Sequence, residues 1–344
     1  ILSPICLAWK WRKKTAPLQY ENAQRAYLET MQDITINVTN LFFTVLSAQE
    51  NYRQSVADYE DRKHLFEIAK KRLDLGTTTK SEVLQMELSL LNAKMSVNST
   101  SLTLRTQLFS LFSYLRIVDY GDIELLPPYY MPEIEMNAEQ VLDKAWTGSS
   151  HSIEQQLNLL ESQRALAEAK ANRGLQVEFR GRLGLSQSAN ELPAAYRRLK
   201  DYETVGLTMT IPIYDWGMGR GKVRMAKTDV EITKTQIEQA NIEFAHDVRT
   251  KVMQFNNQAE QCKTSLRAQD IAAERYDIMK KRFENGSVTV TELNTAQEEF
   301  ESAQHQYISQ LQQFWTDYYG IQKLTLYDFI RKENIGVNFN DLVN

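Results

Sequence analysis

Apolar and polar residues alternate between Leu175 and Tyr214, and this alternation limits the possible folds more than any other stretch of the chain. The first arm, LQVEFRGRLGLSQ, places its apolar side chains at odd positions and polar or charged side chains at most even positions. The return arm, TVGLTMTIPIY, repeats the pattern. A period of two is typical of a β-strand with one apolar and one polar face. The sequence therefore predicts a β-hairpin over residues 175–214, with the polar loop SANELPAAYRRLKDYE between its arms.

Two environments could cover the apolar face of this hairpin. Each arm has about the 9–11 residues that a tilted strand needs to cross the hydrocarbon core of a bilayer. Tyr214 and Trp216, at the end away from the loop, are of the type that forms aromatic girdles at membrane interfaces. A soluble hairpin packed on helices has the same alternation, however. The hairpin alone does not decide between lipid and protein.

Long helices dominate the rest of the chain, which has only 13 Gly and 7 Pro in 344 residues and hence few turns. The segment from Leu18 to Leu75 contains neither residue type and reads as one helix of about 87 Å. A second helix, of roughly 100 Å, is predicted over residues 218–285. Helices of this length need partner helices along their sides. Shorter helices are expected over residues 138–146 and 152–172, after a Pro-containing break at 119–135.

Each long helix ends at a glycine, and a helix-capping motif follows each glycine. The two segments are KKRLDLGTTTKSE and KKRFENGSVTVTE. The glycines and capping pairs are Gly76 with Thr79 and Glu82, and Gly286 with Thr289 and Glu292. Glycine supplies the left-handed C-terminal cap, and Thr with Glu three residues later is a capping box. Because the two segments share their key residues about 210 positions apart, we infer an internal duplication.

Apolar residues recur at coiled-coil spacing after each capping box. The first stripe is Leu84, Leu88, Leu91, Met95, Leu102, Phe109 and Phe112, and the second is Leu293, Phe300, Tyr307, Leu311, Phe314, Tyr318 and Ile321. The first stripe predicts that its helix packs antiparallel on the long helix before it.

The duplication sets the predicted domain organisation. Residues 1–136 form the first repeat, residues 137–326 the second, and residues 327–344 a C-terminal tail. Pro4 and Arg12 align with Pro212 and Arg220, so residues 1–9 are expected to be the end of a return strand. The outgoing strand of the first repeat has no counterpart here. We therefore expect the sequence to be N-terminally truncated.

Composition and motifs give no support to several functional classes. A net charge of −4 does not favour nucleic-acid binding. The sequence contains no run of 18 apolar residues that would predict a transmembrane helix. The four histidines are scattered and no phosphate-binding loop is present, so we expect no enzyme, no metal and no cofactor. Cys6 and Cys262 are too few for a disulfide framework and are interpreted as unpaired thiols, and the sequence does not show whether Cys6 is modified.

The two glycine tips and the strand-to-helix passage GLTMTIPIYDWGMGRGKVRMAK resemble the TolC family of outer-membrane efflux channels. The resemblance covers nearly the whole chain except the tail. It implies a mainly α fold in which antiparallel coiled-coil helices of a homotrimer form an α-barrel. The hairpins would contribute four strands per protomer to a shared 12-stranded β-barrel. Residues 119–150 would belong to a girdle around the tunnel.

This resemblance also implies where the chain works and with which partners. The protein is expected in the outer membrane, extending into the periplasm, with lipid on its odd-numbered strand face and a wet lumen on the even one. A periplasmic adaptor and an inner-membrane pump are the expected partners. The competing hypothesis is a soluble coiled-coil scaffold that binds partner helices.

The resemblance assigns roles to particular residues. Glu292 falls where the family places an acidic constriction ring, and Thr295 stands where a second acidic residue is common. Glu292 also completes a capping box, which needs no pore role. Val288 occupies the place of an arginine that latches the closed state, so those salt bridges are not expected here. The adaptor-docking tips would be Gly76, Thr77, Gly286 and Ser287, and the membrane-interface belt Trp9, Trp11, Tyr214 and Trp216.

Overall fold

The computed structural model describes residues 4–118, 121, 123–126, 131–186, 200–211 and 213–339. The helices are α1 (Pro4–Asp74), α2 (Lys80–Tyr114), α3 (Ala138–Gly148), α4 (His151–Asn172), α5 (Met218–Glu284) and α6 (Val290–Thr325). The strands are β1 (Gln176–Ser186), β2 (Lys200–Thr210), β3 (Tyr327–Asp328) and β4 (Glu333–Asn334). The mainly helical fold with one long hairpin is confirmed. Of the predicted loop, residues 188–199 lie outside the described ranges.

The chain divides into two compact units. One contains residues 1–27, 149–246 and 339–344, and thus holds α4 with the hairpin. The other contains residues 28–148 and 247–338, and holds α2, α3 and α6. Helices α1 and α5 contribute residues to each unit. This division follows contacts within the chain, so the repeat boundaries at 136 and 326 remain a prediction.

Helix α1 corrects the expected strand end over residues 4–9, and residues 1–3 of that prediction lie outside the described part of the chain. It begins at Pro4 and continues through Pro17, whose ring nitrogen cannot donate a hydrogen bond to the preceding turn. A strand needs a neighbouring strand to pair its backbone groups, whereas a helix pairs them within its own segment. Helix formation therefore satisfies this backbone without a partner strand. No helix among the described residues is both long enough and apolar enough to cross a membrane.

The hairpin of α1 and α2 is antiparallel, as predicted. Ser55 lies 2.7 Å from Thr100 through their hydroxyl groups, and Arg62, nearer the tip, donates to Ser89. Toward the tip, residue numbers therefore increase along α1 and decrease along α2.

The second hairpin has the same arrangement. The rings of Phe255 and Phe314 are 5.1 Å apart, and those of Tyr276 and Phe300, nearer the tip, are 6.0 Å apart. Helix α6 also packs on α1, where the Gln304 amide lies 3.3 Å from the Glu50 carboxylate. The side-chain contacts therefore place the four helices in the order α2, α1, α6, α5, and nearer the tips α5 also contacts α1 through Lys280 and Asp61.

Helix α2 does not pack through the stripe that the sequence predicted. Its buried residues are Val83, Met86, Ala93, Leu111 and Phe112, of which only Phe112 belongs to that stripe. The other predicted residues, Leu84, Leu88, Leu91, Met95, Leu102 and Phe109, are 54–67% exposed. Two stripes with the same spacing lie side by side on this helix, and spacing alone does not show which one faces α1. The second-repeat stripe differs, because Leu311, Phe314 and Ile321 of α6 are at most 1% exposed.

Strands β1 and β2 pair antiparallel in a continuous register from Gln176 opposite Thr210 to Ser186 opposite Lys200. The return strand is shifted from its predicted position, 204–214. It begins at Lys200 because residues 200–203 pair with the last residues of β1. It ends at Thr210, where β1 offers no further partner.

Candidate functional site

Both glycine tips adopt the same backbone geometry. Gly76 and Gly286 have φ of 71° and 72°, the left-handed region that glycine enters at little cost. The next residue, Thr77 or Ser287, donates its N–H to the carbonyl five residues back at 2.9 Å. This is the hydrogen bond of a Schellman cap, which satisfies a carbonyl left open at the helix end. The duplicated sequence therefore builds two equivalent turns.

Replacing Gly286 by Ala should lower the melting temperature, because an alanine at this φ costs about 1 kcal/mol. Its added Cβ would also lie 3.4 Å from the Arg72 guanidinium. The matched control is Gly320→Ala in the interior of α6, where a Cβ meets nothing within 4 Å and alanine favours the helix. Thermal unfolding followed by circular dichroism should therefore shift in opposite directions for the two variants. Equal shifts would contradict the role given to the left-handed turn.

Capping boxes start both return helices. The Glu292 carboxylate accepts hydrogen bonds from the Thr289 N–H at 2.7 Å and the Thr289 hydroxyl at 2.9 Å. In return, the Glu292 N–H donates to the Thr289 hydroxyl oxygen at 3.3 Å. Glu82 forms the same box with Thr79. The hydrogen bond from the Thr289 backbone N–H is the main reason why the pKa of Glu292 is lowered. The cap therefore favours the charged form of this carboxylate.

Thr295 and Glu292 are oriented by different partners. The Thr295 hydroxyl donates to the Thr291 carbonyl at 3.0 Å, one helical turn back. Thr295 is exposed and lines a groove of about 730 Å³ between α5 and α6, together with Glu298 and Glu299. The two predicted constriction residues therefore lie on the same helix and each bonds locally.

An apolar cluster directly behind the tips joins all four helices. Its buried members are Leu65 and Phe66 of α1, Val83 and Met86 of α2, Phe283 of α5 and Leu293 of α6. Because both turns rest on one cluster, they form a single structural end of the helix array.

An ion pair beside this cluster ties the two hairpins together, and sequence analysis did not find it. The Lys280 ammonium lies 2.6 and 2.7 Å from the carboxylate oxygens of Asp61. The Tyr276 hydroxyl donates to the same carboxylate at 3.3 Å. Burial, followed by the charge of Asp61, raises the pKa of Tyr276, so its hydroxyl stays protonated and able to donate. Lys280 opens the second tip segment, but Asp61 is remote in sequence and belongs to no motif, so no local pattern indicates the pair.

The face of the hairpin formed by odd-numbered residues, the odd face, is apolar and exposed. Its large side chains are 60–96% exposed: Phe179, Leu183, Leu185, Val205, Leu207, Met209, Ile211 and Ile213. The even face is polar, with Glu178 and Arg180 paired at 2.7 Å. Residues directly opposite each other share a face, so Glu203 lies beside Leu183 and Asp201 beside Leu185. The odd face therefore becomes acidic toward the loop, which the predicted strand boundaries did not anticipate.

Three residues of the predicted aromatic belt, Trp9, Tyr214 and Trp216, are exposed, and Trp11 is partly exposed. Tyr214 and Trp216 are 73% and 86% exposed, and their rings contact each other at 4.7 Å. The Lys13 ammonium lies 5.6 Å from the Trp9 ring and the Lys14 ammonium 5.2 Å from the Trp11 ring. These aromatic side chains thus combine apolar surface with nearby cations.

Asp215 builds the turn from the return arm into α5, and it was not singled out from the sequence. Its carboxylate accepts from the N–H of Gly217 at 3.0 Å and of Gly219 at 2.7 Å. Both hydrogen bonds lower the pKa of Asp215, and the one from Gly219 has the larger effect. An Asp two residues before a Gly at a helix start is a capping signal that could have identified it.

Within the part of the chain that the structure describes, no group of three or more His, Cys, Asp or Glu residues could hold a metal ion. Cys262 is buried as a free thiol, and burial raises its pKa to about 11. A thiol with this pKa is protonated and unreactive near neutral pH.

Comparison with known proteins gives matches at the level of family and fold. The family model for the outer membrane efflux protein matches residues 149–325. No curated protein sequence matches the chain.

Several solved structures have a similar fold. The outer membrane channel CmeC of Campylobacter jejuni is 14% identical with a TM-score of 0.68, and the match covers 97% of this chain and 70% of that one. The open state of the Neisseria gonorrhoeae channel MtrE is 13% identical with a TM-score of 0.69, covering 95% and 73%. The outer membrane protein VceC of Vibrio cholerae is 14% identical with a TM-score of 0.62, covering 92% and 75%.

Proposed function

This chain belongs to the outer membrane efflux protein family, and we propose that it is the passive exit duct of a tripartite efflux or type I secretion system. Family and fold make it an outer-membrane efflux channel that extends into the periplasm. In the proposed system an inner-membrane pump supplies the energy and a periplasmic adaptor joins the pump to this channel. The duct itself performs no chemistry.

The observation that carries this proposal is the bare odd face of the hairpin. On β1 its apolar residues run from Val177 to Leu185, about 30 Å of strand at roughly 3.3 Å per residue. At a tilt of about 40° this gives a height of roughly 23 Å, close to the apolar band of an outer-membrane barrel. Two strands have open edges that lipid cannot satisfy, whereas strands from several chains can close a barrel. We therefore propose a homotrimer with one shared barrel in outer-membrane lipid.

The exposed surface of the tips supports a docking role for them. Leu75, next to the first glycine, is 77% exposed, and Thr77 and Ser287 are exposed as well. The last turn of α1 carries Lys71 and Arg72, and the last turn of α5 carries Lys281 and Arg282, so each helix end has two cations for its one terminal carboxylate. We propose that an adaptor with an acidic surface contacts these tips. The aromatic residues Trp9, Trp11, Tyr214 and Trp216 would form the interfacial belt.

A charge test distinguishes a pore role of Glu292 from a capping role. If three copies of Glu292 surround the axis, Glu292→Gln should lower cation selectivity in single-channel recordings, because three negative charges are lost from one ring. Glu82→Gln is the matched control, since Glu82 forms the same capping box in the first repeat. A similar loss of selectivity for both variants, or for neither, would contradict the ring.

Membrane fractionation, followed by mass determination in detergent, tests the proposal as a whole. We expect the protein in the outer-membrane fraction as a particle of three chains. A protein that stays monomeric and soluble without detergent would contradict the shared barrel. That result would instead favour the coiled-coil scaffold.

A further inference from the structure

The polar, even-numbered face of β1 carries more positive than negative charge. Its charged side chains are Glu178, Arg180 and Arg182, and all three are exposed. Arg180 donates to the two carboxylate oxygens of Glu178 at 2.7 and 3.0 Å, so these two charges pair with each other. The charge of Arg182 therefore remains as the excess on this face of the strand.

The facing strand does not neutralise Arg182. Thr204 lies directly opposite on β2, and Tyr202 and Gly206 are the diagonal neighbours on the same face. None of these three residues has a side chain that is charged at neutral pH. Within the part of the chain that the structure describes, Arg182 forms no ion pair, whereas Arg180 does. The guanidinium of Arg182 is thus free to bind an anion from solution.

Two glycines keep this guanidinium accessible. Gly184 follows Arg182 on the even face, and Gly206 lies opposite Arg180. Neither glycine has a positive φ. An added Cβ would meet nothing within 4 Å at Gly184 and only the Arg180 carbonyl oxygen, at 3.9 Å, at Gly206. The backbone therefore does not require glycine at either position, and the missing side chains leave open space beside the arginines.

We propose that Arg182 is an anion-binding residue inside the duct and that it favours solutes with a carboxylate or phosphate group. This inference rests on the proposed function, because the barrel must have its even face inward. Three copies then place three guanidinium groups around one lumen. A guanidinium presents a planar fork of N–H donors that fits two oxygens of a carboxylate or phosphate at once. The ring thus identifies small anions as the favoured substrate class.

The ring also acts on passing ions through its charge. Rings of arginine or lysine are typical of pores that pass anions or phosphates, whereas carboxylate rings favour cations. Arginine stays protonated in proteins, so its attraction for anions does not depend on pH. Arg182 and Glu292 are therefore expected to change ion selectivity in opposite directions when each loses its charge.

Selectivity in planar bilayers tests the charge. Under a gradient of potassium chloride, Arg182→Gln should shift the reversal potential toward the equilibrium potential of potassium, because three positive charges are lost. The matched control is the double variant Glu178→Gln with Arg180→Gln, which removes an opposite pair from the same face without changing the net charge. Its reversal potential should stay unchanged. Equal shifts for Arg182→Gln and the control, or no shift for Arg182→Gln, would overturn the ring.

Block by citrate tests binding. Citrate carries three carboxylates, so on the loop side of the channel it should reduce the conductance of the unmodified protein. Arg182→Gln should raise the half-blocking concentration about 10-fold, since charge-assisted hydrogen bonds are lost. Arg182→Lys keeps the charge without the fork and should raise it only about 2- to 3-fold. Glucose, which is uncharged and similar in size, should not block. Equal citrate block of the unmodified protein and Arg182→Gln would overturn the binding role.

The proposed function can fail separately from this inference. An unmodified protein that conducts, but shows neither citrate block nor a change on Arg182→Gln, would overturn the anion site and leave the channel intact. A protein that forms no conducting particle in bilayers would instead overturn the shared barrel, and with it the proposed function.

Discussion

Met209→Arg should prevent the protein from inserting into the outer membrane. Met209 is 62% exposed on the odd face of the hairpin, lies opposite Val177, and is central in the apolar segment from Val205 to Ile213. An arginine facing lipid near the middle of a bilayer costs about 2–4 kcal/mol. The proposed trimer would incur this cost three times, once for each copy. Density-gradient fractionation should therefore find the variant outside the outer-membrane fraction.

Thr208→Arg is the matched control for this experiment. Thr208 is the adjacent residue on the even face and lies opposite Glu178, so an arginine there meets a carboxylate and, in a barrel, water. We expect this variant to reach the outer membrane in normal amounts. Normal insertion of Met209→Arg would show that the odd face does not meet lipid. Failure of both variants would also contradict the assignment of the two faces.

Phe255→Ala should cause the largest loss of folding stability among single substitutions in the helices. The Phe255 side chain is 0% exposed and packs between helices, with its ring 5.1 Å from Phe314 and 6.2 Å from Tyr318. Removing a buried phenylalanine ring costs about 3–5 kcal/mol, because the apolar contacts are lost and a cavity remains. For a chain of this size the melting temperature should fall by roughly 5 °C. Circular dichroism of the purified protein measures this shift.

Phe109→Ala provides the contrast, since the same ring is removed from a surface position. Phe109 is 64% exposed on the α2 stripe, so its loss should leave the folding of the single chain almost unchanged. In the proposed trimer the stripe would face the next copy, so the variant should instead dissociate into monomers at a higher protein concentration. A melting shift as large as that of Phe255→Ala would contradict the proposed division between core and interface.

Features set by neighbouring residues could be predicted from the sequence. The glycine turns and the capping boxes depend on residues within five positions of each other, and the structure shows them at Gly76, Thr79, Gly286 and Thr289. The strand alternation is equally local, since residues two positions apart in a strand point to the same face of the sheet. The overall fold followed because two such sets occur in the same order.

Features set by distant contacts could not be predicted. The α2 helix carries two stripes with the same spacing, and only packing against α1 shows that Val83 and Met86 are buried while Leu84 and Leu88 are not. The Asp61–Lys280 pair depends on the approach of two hairpins.

Local signals were also missed or misplaced. Alignment with the second repeat predicts a strand end at residues 4–9, but these residues form a helix because the single chain offers them no strand to pair with. Asp215 differs, because its capping signal was present in the sequence and was not used.

The two bare apolar faces have a consequence for the synthesis of this protein. In the proposed trimer, a newly exported copy would have the strand face and the α2 stripe in contact with water until it meets other copies, and exposed patches of this kind promote aggregation. Association of separate chains slows as their concentration falls, so the waiting time is longest when expression is low. The survival of a copy that has not yet associated depends on its solubility and not on the stability of its helices. We therefore expect a holding chaperone to raise the yield of assembled protein more than any substitution that strengthens the helical core.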